Sequence, residues 1–134
     1  GAVDSVTSPV IVGAMSTMFN MDYIVVRSEP LKHGTQDYIY GNISKPIVLI
    51  DDMTSTGGTL IDAAKKIRSR NGLVEYAIIS ACRDKLALKN LAGHGIKLLY
   101  IAEFTEILSY LNPILSKEKK EIVAEEMNSG FLLK

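Results

Sequence analysis

Four short apolar segments, separated by stretches patterned as helices, constrain the fold more than any other feature of the chain. They are YIVVR at Tyr23–Arg27, PIVLID at Pro46–Asp51, VEYAIISAC at Val74–Cys82 and IKLLYIAE at Ile96–Glu103. YIVVR and PIVLID are β-branched and apolar almost throughout, the signature of a strand covered on both faces. Between the segments, apolar residues recur at helical spacing. Ser8-Pro9 reads as an N-cap followed by proline at the first helical position, and Ile11, Ala14, Met15 and Met18 continue the pattern, which predicts a helix over 8–19. Leu60, Ile61, Ala64 and Ile67 mark a second helix, stopped by Asn71-Gly72. Shorter helices are predicted over 85–92, 104–111 and 117–127, the last with Ser116 as N-cap and Ile122 and Val123 as its few buried positions. The alternation of strands and helices implies an α/β fold with a mainly parallel sheet flanked by helices.

One connection breaks the rhythm. SEPLKHGTQDYIYGNISK, Ser28 to Lys45, is polar, interrupted by Pro30, Gly34 and Gly41, and too long for an ordinary link. Loops of this kind tend to carry function. At 134 residues the chain fits a single domain. Fifteen basic and fifteen acidic residues cancel, so neither nucleic acid nor an anionic membrane is an expected partner, and any anion site must be local. The one cysteine, Cys82, cannot form an internal disulfide and has no zinc-type spacing around it; it reads as a small buried residue, and His94 as a turn residue. A reducing cytoplasm is the expected location. No apolar run approaches the ~20 residues of a membrane span, and GAVDSVTSPV lacks the basic start of a signal peptide. The absence of an initial methionine is read as the mark of a processed form or a fragment.

The chemistry concentrates in VLIDDMTSTGGTL, Val48–Leu60. In an open α/β sheet, ligands bind beyond the carboxyl ends of the strands, where the strand order switches, and Asp51 and Asp52 fall at such an end. Thr54, Ser55, Thr56, Gly57, Gly58 and Thr59 then lead into a helix whose first N–H groups have no intrahelical partner, a ready anion site that glycines let a phosphate approach. Two carboxylates beside a phosphate would repel it, unless they face a part of the ligand that donates hydrogen bonds or carries a metal. A sugar 5-phosphate with free hydroxyls satisfies both demands. No lysine follows Gly57-Gly58 as a P-loop requires, and a dinucleotide fingerprint needs a third glycine. The alternative for the acidic pair is simple helix capping, which one carboxylate could perform.

VLIDDMTSTGGTL resembles the phosphoribosyl-pyrophosphate (PRPP) signature of type I phosphoribosyltransferases, a Rossmann-like fold. The resemblance implies that Asp51 and Asp52 hold the ribose hydroxyls and Thr54–Thr59 grips the 5-phosphate. Further similarities point to the orotate branch. VRSEPLKHGTQDYIYG is similar to that branch's strand and catalytic loop, whose pattern runs Arg-Lys-Glu-x-Lys-Asp-His-Gly; Arg27, Glu29, His33 and Gly34 match. Ser28 and Leu31 stand where the pattern has lysines, with Lys32 one position along. Either Lys32 substitutes with His33 in meeting the departing pyrophosphate, or the chain is slow or inactive. Arg27 is implied in PRPP binding, with an ordinary strand-end arginine as its alternative. Ser55 and Arg83 are implied at the base, the latter through a guanidinium fork matched to a carboxylate, with an Arg83–Asp84 surface pair as the alternative. Asp4, Ser5, Val6 and Thr7 resemble the turn that contacts pyrophosphate; Asp4 either helps hold magnesium or caps the helix. No residue is expected as a confident direct metal ligand.

The resemblance thus implies transfer of ribose 5-phosphate from PRPP to orotate with Mg²⁺ present, in a homodimer whose loops reach the neighbouring site. Transfer to a purine or other base, and a catalytically weak PRPP-binding regulator, stay open. The family's N-terminal portion, a first helix and strand and a small hood over the base, finds no match in these 134 residues, so residues 1–134 are expected to form one domain lacking that portion.

Overall fold

A computed structural model describes residues 1–3, 5, 7–29 and 37–128, the last three by backbone alone. Asp4, Val6, Lys32 and His33, all assigned roles from the sequence, lie outside the described residues. The described chain runs β1 (Ala2–Val3), α1 (Ser8–Phe19), β2 (Val25–Val26), β3 (Ile39–Tyr40), β4 (Ile47–Thr54), α2 (Gly58–Arg68), β5 (Val74–Cys82), α3 (Leu86–Gly93), β6 (Lys97–Glu103), α4 (Phe104–Leu111), a 3₁₀ turn (Asn112–Ile114) and α5 (Lys117–Asn128). Six strands form one sheet in the order β3-β2-β1-β4-β5-β6. Only the β2–β3 pair is antiparallel. The expected α/β architecture is therefore present.

The strand order fixes where a ligand can sit. From β1 the chain steps outward to β2, whereas from β4 it steps the other way to β5 and β6. The reversal lies between β1 and β4, which pair through Ala2 and Ile50. Their carboxyl ends therefore open a crevice where the β1–α1 turn faces the tip of β4.

Packing is lopsided, which corrects the expectation that Pro46–Asp51 is covered on both faces: Ile47 and Leu49 are buried, whereas Val48 is 38% exposed. Ile47 and Leu49 of β4, Ala77 and Ile79 of β5 and Leu98 of β6 are buried with Leu60, Ala64, Ile67 and Leu91 from α2 and α3. On the opposite face α1 contacts β1 and β4, and a cleft of about 330 Å³ separates its Val12, Met15 and Ser16 from Val48 and Ile50. Beyond α1 that face is open: Tyr76 and Leu99 are each 43% exposed and Ile101 is 83% exposed. An apolar strand sequence records what the chain can bury, and the cover each face receives depends on which helices lie above it.

Other local expectations need smaller corrections. Strand β3 pairs Ile39 and Tyr40 with Val26 and Val25 inside what reads as a continuous loop. Thr7, without a side-chain cap bond, occupies the N-cap of α1, and Ser8 is its first helical residue. Ser8 and Val12 are the buried positions of α1, while Met18 is 76% exposed. Ile122, expected to be buried, is 52% exposed. The end of α2 behaves as anticipated: Asn71 takes φ 63° and the Gly72 N–H donates to the Ile67 carbonyl at 3.0 Å. Ser116 accepts from the Lys119 N–H at 3.4 Å at the start of α5.

Candidate functional site: a paired-acid strand tip at the sheet's switch point

Asp51 and Asp52 end the apolar run of β4 beside the β1–α1 turn. Asp51 is buried, and the Ser8 hydroxyl donates to its Oδ1 at 2.5 Å. That leaves Ser8 to accept from Ser5, whose Oγ lies 2.6 Å away and itself accepts from the Ser8 N–H at 2.9 Å. Asp52 is half-buried and accepts from the Thr7 hydroxyl at 2.7 Å. The two carboxylates are thus gripped by hydroxyls from a turn more than forty residues away in sequence. An ionised carboxylate has about four acceptor positions, so each retains capacity for a ligand's hydroxyl groups.

The environments push the two acids apart. Burial raises the Asp51 carboxyl above its ordinary value, opposed by the Ser8 bond and the Asp52 N–H and reinforced by the neighbouring Asp52 charge. The Thr7 bond lowers Asp52, with help from the Met53 N–H. Asp52 is accordingly the readier anion and Asp51 the more guarded one. Neither caps α2: its N-cap is Gly57, with no side-chain bond. Helix capping, the competing reading of the pair, is thereby excluded.

The loop after β4 is braced from three sides. The Thr54 hydroxyl accepts from the Gly57 N–H at 3.0 Å, and the Asn90 side chain, from α3, donates to the Thr56 carbonyl at 2.9 Å. Gly57 has φ 80°, and a Cβ there would meet Leu91 Cγ at 3.0 Å, so backbone and space both call for glycine. Gly58 and Thr59 are exposed at the first turn of α2, where N–H groups and helix dipole favour an anion. The Arg83 N–H donates to the Thr54 carbonyl at 2.9 Å, which seats the end of β5 against the same loop. The Arg83 guanidinium lies 5.4 Å from the centre of the Phe104 ring, at a cleft of about 220 Å³ that includes Lys85, Tyr100 and Glu103. Arg27 meets Thr59 and Asp62 across a narrow cleft at the end of β2.

Of the residues picked out from sequence, the structure gathers Ser5, Thr7, Asp51 and Asp52 into one hydrogen-bonded group, and sets Thr54–Thr59, Arg27 and Arg83 around it along the strand ends. Ser8 and Asn90 were missed. A Ser-Pro pair reads as a cap and a helical asparagine as surface, and nothing local in the sequence signals their partners. Cys82 is buried and its thiol is pushed up by that burial, while exposed His94 follows α3 with Nδ1 2.9 Å from the Asn90 carbonyl. Among the described residues, no three or more His, Cys, Asp or Glu are grouped to hold a metal ion, and no helix is long and apolar enough to cross a membrane.

No family model matches the chain. Individual proteins do. An orotate phosphoribosyltransferase of Sulfolobus acidocaldarius is 29% identical over 105 residues, 76% of this chain and 53% of its own length. One of Picrophilus torridus is 33% identical over 101 residues, 74% of this chain and 60% of its own length. The chain thus spans little more than half the length of these two relatives. Among solved structures, orotate phosphoribosyltransferase from Aeropyrum pernix superposes with a TM-score of 0.69 at 21% identity, covering 83% of this chain and 63% of that one. Leishmania donovani UMP synthase gives 0.75 at 23% identity, covering 96% of this chain and 28% of that one. The chain therefore has the type I phosphoribosyltransferase fold, and its sequence is similar to orotate phosphoribosyltransferases over about three quarters of its length.

Proposed function

We propose that this chain forms the PRPP-binding and catalytic part of an orotate phosphoribosyltransferase, moving ribose 5-phosphate from PRPP to orotate and releasing pyrophosphate. The observation that carries the reading is the acidic pair at the switch point, hydroxyl-gripped and adjoining a glycine-shaped loop at a helix N-terminus. Sequence similarity to proteins named orotate phosphoribosyltransferase supports the choice of base.

In this reading Asp52, and behind it Asp51, accept hydrogen bonds from the ribose hydroxyls, while the loop Thr54–Thr59, whose Gly57 amide is already taken by Thr54, and the dipole of α2 bind the 5-phosphate. Breaking the anomeric C–O bond gives the sugar oxocarbenium character and leaves negative charge on the departing pyrophosphate. The protein positions the reactants and stabilises that charge, and no covalent nucleophile is needed. Arg27 faces the phosphorylated sugar, Arg83 with Ser55 faces the base carboxylate, and the Ser5–Thr7 turn, with Asp4 and Val6, adjoins the pyrophosphate. Lys32 and His33 are assigned to the leaving group. The hard carboxylate oxygens of Asp51 and Asp52 fit Mg²⁺, which keeps most of its waters and takes few protein ligands. When bound, it would offset the negative charge of the departing pyrophosphate. A homodimer in the cytoplasm completes the reading.

Isotope-labelled PRPP offered with Mg²⁺ and a panel of bases tests it. Labelled orotidine 5-phosphate is the expected product; product with adenine or guanine but none with orotate would overturn the choice of base. A second reading, a PRPP-binding protein without transfer, is favoured by Leu31 and Ser28 at the positions that resemble the loop lysines. PRPP binding by calorimetry, with no pyrophosphate released over any base, would establish it.

A further inference from the structure

We propose that Lys66, in the last turn of α2, and Arg70, just past the end of that helix, are positioning residues that set Arg27 against the phosphate loop. The inference rests on the PRPP site described above and assigns a task to side chains that contact none of its reactants.

Strand β2 is only two residues long, so the carbonyls just beyond it receive little from the sheet ladder. Lys66 meets that need. Its ammonium donates to the Arg27 carbonyl and to the Ser28 carbonyl, each at 2.9 Å, while pairing with Asp62 at 2.7 Å and standing 4.8 Å from the centre of the Tyr38 ring. One charged group therefore ties together the outgoing end of β2, the approach to β3 and the first turns of α2. Arg70 secures the returning side. It grips Asp37 through both terminal guanidinium nitrogens, at 2.7 and 2.6 Å, and Asp37 in turn accepts from the Ile39 N–H at 3.0 Å. The circuit closes through the Arg27 N–H, which donates to the Tyr38 carbonyl at 2.8 Å.

The other end of α2 begins the phosphate loop, with Gly57 as its N-cap. Arg27 faces Thr59 and Asp62 across the narrow cleft between β2 and α2. The helix that presents amides to the phosphate thus also holds the main chain of the arginine beside it, at a fixed spacing. An isolated surface ion pair would contribute little, but here a lysine side chain only 20% exposed donates to two main-chain carbonyls as well as to Asp62.

PRPP titration by calorimetry in Mg²⁺, on wild type, Lys66→Met, Lys66→Arg, Arg27→Ala and the Lys66→Met/Arg27→Ala double variant, tests the assignment. Lys66→Met is expected to weaken PRPP about tenfold and Lys66→Arg to restore most of the loss, because arginine keeps charge, donors and ring contact. The double variant is expected to bind no more weakly than Arg27→Ala alone, since Lys66 acts through Arg27. Arg70→Gln, which releases only the Asp37 side, carries the same test should Lys66→Met fail to fold; a loss of about threefold is expected. Wild-type affinity in folded Lys66→Met, or in folded Arg70→Gln should Lys66→Met not fold, overturns the inference and leaves the proposed function standing. Losses that simply add in the double variant overturn it too. A wild-type chain that binds no PRPP removes both.

Discussion

The Ser8 hydroxyl donates to the Asp51 carboxylate at 2.5 Å, joining the first turn of α1 to the tip of β4 across 43 positions of sequence. Ser8 is fully buried, so this bond has no water to replace it. It also opposes the burial that raises Asp51.

Ser8→Ala is therefore expected to lower stability by about 1 to 3 kcal/mol at neutral pH, the cost of stranding a buried acceptor. The sign of its pH dependence follows from Asp51. A carboxyl raised in the folded state favours folding while protonated, and that contribution is lost as pH rises from the ordinary value of 3.8 through the folded one. Removing the Ser8 donor raises Asp51 further. The deficit of Ser8→Ala should accordingly be smaller near pH 4 than at pH 7 in urea titrations; equal deficits would show that Asp51 does not feel the bond.

Replacing both acids, Asp51→Asn with Asp52→Asn, is expected to abolish PRPP binding while leaving the chain folded. The amides fill the same space and remain able to accept from Ser8 and Thr7. Calorimetry and a thermal melt on one preparation check this. Undiminished affinity in the folded double variant would take the ribose away from this strand tip.

Asp37 offers a test at acid pH. Hydrogen bonding to Arg70 holds its carboxyl down to about 2, against an ordinary 3.8. A depressed carboxyl contributes stability above the unfolded value that disappears as pH falls through the folded one. The melting temperature of wild type should exceed that of Asp37→Asn at pH 5, and the gap should close by about pH 2. A gap unchanged over that range would mean the Arg70 pair does not couple to folding.

How much of this could be read from residues alone differs by element. Val74–Cys82 and Phe104–Leu111 were legible to the residue, because each is a long apolar stretch bounded by turn or break signals. β3 was not. Two residues before Gly41 give no periodicity, and their strand character comes from Val25 and Val26 across the pair. Asp51, Asp52 and Gly57 announced themselves because the local pattern of strand, acids and glycine loop makes up the candidate site by itself. Ser8, Lys66 and Arg70 did not, since each acts on a partner brought near by strand order: Ser8 on Asp51, Lys66 on Arg27, Arg70 on Asp37. Asp62 and Lys66 stand at i and i+4 on α2, a spacing that signals a local ion pair and nothing of the two carbonyls that Lys66 also serves. Apolar content likewise suggested that Pro46–Asp51 is covered twice, whereas cover depends on which helices lie above residues such as Val48.

The two glycines of the loop should respond in opposite ways to alanine. At Gly57, φ is 80° and a Cβ would sit 3.0 Å from Leu91 Cγ and 3.1 Å from its Cδ1, so alanine adds left-handed strain and crowds a fully buried leucine. Gly57→Ala should lose about 1 to 3 kcal/mol in denaturant unfolding. At Gly58, the first residue of α2, the nearest atom to an added Cβ is Thr56 Oγ1 at an ordinary 3.6 Å. Gly58→Ala should leave stability within about 0.5 kcal/mol of wild type or raise it slightly, since alanine loses less backbone freedom on entering a helix. Ligand binding separates them again. The proposed function has phosphate approach the backbone at Gly58, which is exposed, so on that reading alanine there is expected to weaken PRPP binding despite an intact fold. A stable Gly58→Ala variant that binds PRPP as wild type would remove close approach as the reason for the second glycine.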